Sequence, residues 1–106
     1  MRFGRVTGTV VQVPSEDGDP TPWLELTVLL DAGDAIATVR SEQVPMLVIP
    51  DGADPLTWQA DQYTQETIAN ELALQGWEPI GLAADSDVAR GAAIGASSPV
   101  YIVRQV

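Results

Sequence analysis

The side chains able to do chemistry in this chain of 106 residues are 15 Asp and Glu, 5 Arg, 2 Tyr and the hydroxyls of Ser and Thr. His, Cys and Lys do not occur. Without Cys there is no thiolate nucleophile, no disulfide and no Cys-based zinc site. Without His, the usual general base and the commonest ligand of zinc, copper and haem are missing. Without Lys there is neither Schiff-base chemistry nor a P-loop. A Ser or Thr nucleophile would have no His or Lys to activate it. Paired carboxylates can run acid–base catalysis once burial splits their pKa values. Asp61 and Glu78 are the acids that lean inward, and both are expected at strand ends close to water. The expectation is a chain that is not an enzyme and needs no cofactor.

Carboxylates gather at Glu16-Asp17-Gly18-Asp19, Asp31 with Asp34, Asp51 with Asp54, and Asp85-Ser86-Asp87. Calcium takes about six to eight oxygens at once. The first group lacks the alternating spacing and distal Glu of an EF-hand, and nothing near Asp85-Ser86-Asp87 completes a shell. Asp at such places caps turns and keeps them solvated, so no metal site is expected. The run Arg90-Gly91-Ala92-Ala93-Ile94-Gly95-Ala96-Ser97-Ser98 offers glycines, hydroxyls and one cation. Arg90, Gly91, Gly95, Ser97 and Ser98 could form an anion nest or a partner-binding loop. The run lacks P-loop spacing and no helix evidently follows it, so its plain alternative is a hairpin loop. Of the three Trp, Trp58 and Trp77 most simply pack a small core. Trp23 faces away from Leu24 and Leu26 and is a candidate interface anchor. Trp23 and Trp58, with the 90–98 loop, make the candidate small-molecule site.

The net charge of −10 is spread over the whole chain. Phosphate binding needs clustered cations, and the arginines stand apart at 2, 5, 40, 90 and 104, so neither nucleic acid nor an anionic membrane surface is an expected partner. Val44–Pro50 is too short to span a bilayer, and Thr7, Gly8 and Thr9 interrupt any signal-peptide core. The expected location is cytoplasmic. With no His or Cys, ordinary side chains leave little to titrate between about pH 5.5 and 9.

The elements that must position these residues read as follows. Arg5–Val13, Trp23–Leu30 and Ile36–Arg40 have strand character, with Asp31-Ala32-Gly33-Asp34 as a hairpin turn. Pro14–Pro22 and Pro50–Pro55 are loops. Val44–Ile49 fits either a strand or a helical turn. Leu56–Asp61 alternates like a short strand with Leu56, Trp58 and Ala60 inward. Thr64 suits a helix N-cap, and Gln65, Ile68, Ala69, Leu72 and Gly76 share one helical face over about 64–75. Gly76 suits a left-handed terminating residue. Trp77–Ala83 and Val100–Val106 read as strands separated by a long connection, 84–99.

The run Ala69–Leu82, A-N-E-L-A-L-Q-G-W-E-P-I-G-L, followed by a closing V-Y-I-V-R strand, resembles a small bacterial domain family of unknown function with a helix, Gly-Trp-Glu, strand, strand arrangement. The resemblance covers about residues 64–106 and implies an αββ unit that can oligomerise, with no catalytic residues. Pro79 and the longer loop before Pro99 depart from its pattern. Residues 4–61, with G-x-V-x-G-T-V, L-E-L-T-V, A-T-V-R and D-G-A-D-P-L, resemble small β-barrel modules of uncharacterised actinobacterial proteins. The expected architecture is one α+β domain over 1–106: a mostly antiparallel, partly open barrel or curled sheet of about five to six strands on one helix. The expected role is protein–protein contact, with self-association through an exposed edge such as Val100–Val106. The alternatives are a small-molecule-binding barrel using the 90–98 loop and an acidic inhibitor or mimic of a basic nucleic-acid-binding partner.

Overall fold

Alternating apolar residues give the first half of the chain its strands. The computed structural model describes residues 2–13, 23–47, 54–83 and 95–106. Strands β1 (Arg2–Val13), β2 (Trp23–Asp31) and β3 (Ile36–Pro45) form an antiparallel meander, with Arg5 opposite Asp31 and Val13 opposite Trp23. Val6 and Val10 of β1 and Leu24, Leu26, Val28 and Leu30 of β2 point to one face and are buried. In the β2–β3 turn the Gly33 N–H donates to Asp31 Oδ1 at 2.9 Å, so this acid caps a turn as expected. Val44 and Pro45 end β3, Met46 and Leu47 follow without regular structure, and residues 48 and 49 lie outside the described residues. The predicted loop 14–22 and residues 50–53 of the predicted loop 50–55 also lie outside them.

Residues 56–61 are helical, which corrects the short strand read from their alternation. Helix α1 spans Pro55–Thr67. Asp54 caps it: Oδ1 accepts from the Leu56 N–H at 3.1 Å and Oδ2 from the Thr57 hydroxyl at 2.9 Å. Pro55 at the helix start carries a helical φ already and lacks an N–H that would go unpaired there. This cap outweighs the weak alternation of a six-letter stretch. Thr64 is therefore no N-cap. It lies inside α1, where its Oγ1 donates to the Ala60 carbonyl at 2.7 Å. The buried face runs through Ala60, Thr64, Thr67, Ile68 and Leu72, while Gln65 and Ala69 stay exposed. The helix continues as a π segment, Ile68–Leu72, and a 3-10 turn, Ala73–Gln75. Gly76 ends it at φ 87, the left-handed conformation that Gly adopts without steric cost.

Strands β4 (Trp77–Leu82), β5 (Gly95–Ser97) and β6 (Tyr101–Gln105) complete the sheet. Its order is β3-β2-β1-β6-β4, with β5 paired to Thr9–Val11 of β1 beyond the reach of β6. Two points differ from the sequence reading. β6 is an interior strand with β1 on one side and β4 on the other, so 100–106 is not an edge; β3 and β4 are the outer strands of this order. The end of the predicted 84–99 connection is a strand, and 84–94 lies outside the described residues. Ile80 and Leu82 are both exposed, and the register shifts between Pro79 and Gly81. A proline and a bulge are tolerated there because β4 is an edge. The sheet does not close among the described residues. The architecture is thus α+β, a six-stranded, mostly antiparallel curled sheet with the helix on one face. No described helix is long and apolar enough to cross a membrane.

Helix and sheet meet at Gly8. A Cβ there would lie 1.9 Å from Thr64 Oγ1 and 3.4 Å from the Ala60 carbonyl oxygen. Gly8 also joins the two strands that share the far side of β1. Its N–H donates to Ser98 Oγ at 3.0 Å, and the Ser98 N–H donates to its carbonyl at 2.7 Å. Gly8→Ala is expected to lower unfolding stability by about 1–3 kcal/mol, the usual cost of overpacking. Adding Thr64→Ala removes the closest atom and should recover part of that loss. Urea unfolding of the two variants and the double variant checks the coupling.

Candidate functional site

Among the described residues, those singled out in the sequence fall on β2, α1 and the β5 segment. Arg90 and Gly91 lie outside the described residues, and Gly95 lies in β5. Ser97 and Ser98 are buried. The Ser98 hydroxyl accepts from Gly8 and donates to the Pro99 carbonyl at 2.8 Å, so it serves the fold from within. Trp23 is half-buried at the start of β2, beside its register partners Val13 and Pro45. Trp58 is half-buried in the first turns of α1, on a helix and not on the strand expected for it. Trp77 is 4% exposed in the core, with the Arg2 guanidinium 5.7 Å from its ring centroid.

The structure instead builds a cleft of about 510 Å³ between the second half of the helix and the β4–β6 edge. Ile68, Ala69 and Ala73 form one wall, and Trp77, Glu78 and Pro79 the other. Ala69 and Ala73 leave room where longer side chains would fill it. The wall residues Ile68 and Ala69 belong to the π segment. A π segment is costlier than regular helix and is often retained at functional sites.

Gln65 and Tyr101 line the polar end of this cleft. The Tyr101 hydroxyl donates to Asp61 Oδ1, and Gln65 Nε2 donates to Asp61 Oδ2 at 3.0 Å. Burial is the main cause that pushes the Tyr101 phenol up to about 12. Its hydrogen bond to Asp61 and the negative charge there act in the same direction, and Gln65 opposes them. Glu78, the other acid expected to lean inward, sits on β4 and pairs with Arg104. Asp61 and Glu78 therefore belong to separate pairs and do not form a carboxylate dyad. Tyr101 was missed in the sequence, although the alternation V-Y-I-V already placed it on the same side as Val103, which is buried.

The second surface is the sheet face opposite the helix. Phe3, Leu29 and Ile36 are 55%, 38% and 69% exposed there, and Val11 is also exposed. Two shallow depressions flank Arg5. One of about 420 Å³ touches Phe3, Asp31 and Ile102, and one of about 300 Å³ touches Leu29, Ile36 and Val100. By ladder register this face holds Arg5 and Arg104 against Glu25, Asp31 and Glu78, nearly balanced in a chain of net charge −10. The β3 edge carries its own guard. Arg40 is tied inward to Glu42 at 2.6 Å and Glu66 at 3.1 Å and lies 5.1 Å from the Tyr63 ring. Burial alone would lower the Arg40 pKa, but its two carboxylates hold it above the ordinary value.

The raised Tyr101 pKa has a measurable sign. The folded chain keeps a proton that the unfolded chain, at an ordinary 10.0, has lost. Stability from this group is therefore full below pH 10 and falls as pH climbs towards about 12. Tyr101→Phe should remove that part of the alkaline slope and the late tyrosinate signal at 295 nm. An unchanged absorbance titration would contradict the assignment. No family model matches the chain, and no curated protein or solved structure matches it.

Proposed function

We propose that this chain is a non-enzymatic module that works by protein–protein contact and associates with itself through the helix-free sheet face. The observation that carries this reading is that face: among the described residues, the sheet packs the helix on one side and leaves Phe3, Val11, Leu29 and Ile36 exposed on the other. Exposed apolar surface of this kind, rimmed by polar groups, is the usual mark of a contact surface. Its charge balance favours a second copy. Two chains of net charge −10 repel each other, and the repulsion is least where Arg5 and Arg104 offset the local acids. A two-fold pairing sets the Arg5 region of one copy against the acids of the other. The edges support the face over the strand ends as the contact. β4 has Pro79 and a bulge, and β3 has the inward-tied Arg40 cluster.

Sedimentation analysis at concentrations on the order of 100 µM should give a dimer mass, with a dissociation constant in the micromolar range. Association should strengthen as salt screens the like charges. Leu29→Lys and Ile36→Lys should each yield monomer with unchanged circular dichroism, and Leu74→Lys, on the exposed 3-10 turn, should leave the dimer intact. A strict monomer throughout, or a complex that weakens steeply with salt, would overturn this reading. The latter would point to a basic partner.

A further inference from the structure

We propose that two copies of the chain meet about a two-fold axis that runs along the strands between β1 and β2, so that Arg5 of each copy pairs with the partner's Asp31. This rests on the self-association proposed above and gives it a register. The sheet face can be the contact while this register fails. The first observation behind it is the order of side chains in one row across the sheet. On the helix-free face, from β3 to β6, the ladder places Ile36, Asp31, Arg5 and Ile102 side by side. The row is apolar, negative, positive, apolar. Turned about an axis through its centre, it sets Arg5 over Asp31, Asp31 over Arg5 and each isoleucine over the other. A patch that complements its own copy in this way is what a two-fold interface requires. Beyond Ile102 the row ends at Gly81 of β4, which has no side chain to cover the isoleucine.

The second observation concerns the two charges. Among the described residues, Arg2, Arg40 and Arg104 each have a carboxylate partner, and Arg5 has none. Arg5 and Asp31 stand directly opposite on neighbouring strands, yet no ion pair joins them within a copy. Asp31 Oδ1 accepts from the Gly33 N–H at 2.9 Å, which holds the carboxylate in place, and Oδ2 accepts nothing from the described residues. A guanidinium from across the axis finds a fixed carboxylate with an oxygen to spare.

The third observation is shape. Arg5 and Asp31 both line each of the two depressions, of about 420 Å³ and about 300 Å³. Phe3 lines the larger one, and the axis sets it over the partner's Gly33, where no side chain takes up the space. Leu29 lines the smaller one and is set over the partner's Thr7. Charge pairs across an interface fix register and exclude wrong pairings more than they add affinity. The exposed Phe3, Leu29 and Ile36 around them supply the apolar burial.

The test is sedimentation of the whole chain at about 100 µM, with charge-reversed copies measured singly and mixed. Arg5→Asp sets acid against acid across the axis, and Asp31→Arg sets cation against cation. Each variant alone should associate at least about a hundredfold more weakly and run as a monomer. Mixed in equal amounts, they should form a one-to-one heterodimer. Both contacts across the axis are then attractive again, and the total charge equals that of two wild-type copies. Asp31→Arg also removes the cap of the β2–β3 turn, so circular dichroism checks each fold and a second measurement is independent of it. The chain has no Cys, so a copy carrying Ile36→Cys and Ile102→Cys holds its only thiols there. Within a copy these positions are three strands apart, about 14 Å, too far for a disulfide. Mild oxidation should give a covalent dimer whose cross-link, by peptide mass, joins position 36 of one copy to position 102 of the other. This register is overturned by single variants that still dimerise, by folded variants whose mixture stays monomeric, or by absence of that cross-link. A heterodimer formed instead by Arg5→Asp with Glu25→Arg also overturns it, by putting the axis across the strands. In each of these cases a wild-type dimer that Leu29→Lys breaks leaves the sheet face standing as the contact. A wild-type monomer overturns both.

Discussion

The contact on which the rest of this structure depends is the close approach of the helix to β1 at Gly8. A side chain is missing there, and Thr64 occupies the space. The same residue exchanges two hydrogen bonds with Ser98, which joins the part of β1 paired to β5 with the part paired to β6. One residue thus sets the spacing between the layers and the continuity of the sheet. The apolar side chains around it, Val6, Val10, Leu26, Val28 and Val103, fill the volume that this spacing leaves.

The cleft follows from the same geometry. α1 lies close to β1 at Ala60 and Thr64 and departs from regular α-helix beyond Thr67. Gly76 then reverses the chain and returns Trp77 under the helix. Between the close contact and the reversal, small residues face β4 and β6 across a gap. The Asp61–Tyr101 pair closes one end of this gap by tying the helix to the interior strand. It is both a tie between layers and the polar end of a cavity.

Much of the fold was legible because strands reveal themselves by alternation. β1, β2 and the Gly76 terminus stand in the sequence as residues that one face of a sheet or one helix stop would demand. The start of α1 was not read, because six residues can alternate by chance and the decisive signal lay before them, in Asp54-Pro55. The interior place of β6 could not be read either, since strand order is a long-range property that periodicity within a strand does not carry. The site suffered most. Trp, Gly and Ser in a loop invite a ligand in one dimension, yet Ser98 is spent on Gly8, and the cavity is lined by alanines that carry no chemical signature.

The placement of β1 has a consequence for how the chain is made. It leads the sequence yet lies in the middle of the sheet, and its partners include Ser98, 90 residues away. The β1–β2–β3 meander can form as soon as it is synthesised, since its pairings are local. Until the residues of β5 and β6 follow, however, one side of β1 has no neighbour, and the Gly8 N–H has no acceptor from the chain. The nascent protein passes through a long interval as an open three-stranded sheet whose exposed edge is the future centre of the molecule. The sheet is therefore completed only when β5 and β6 pair with β1, and the interval before that is when pairing with a foreign strand competes most strongly with the native one.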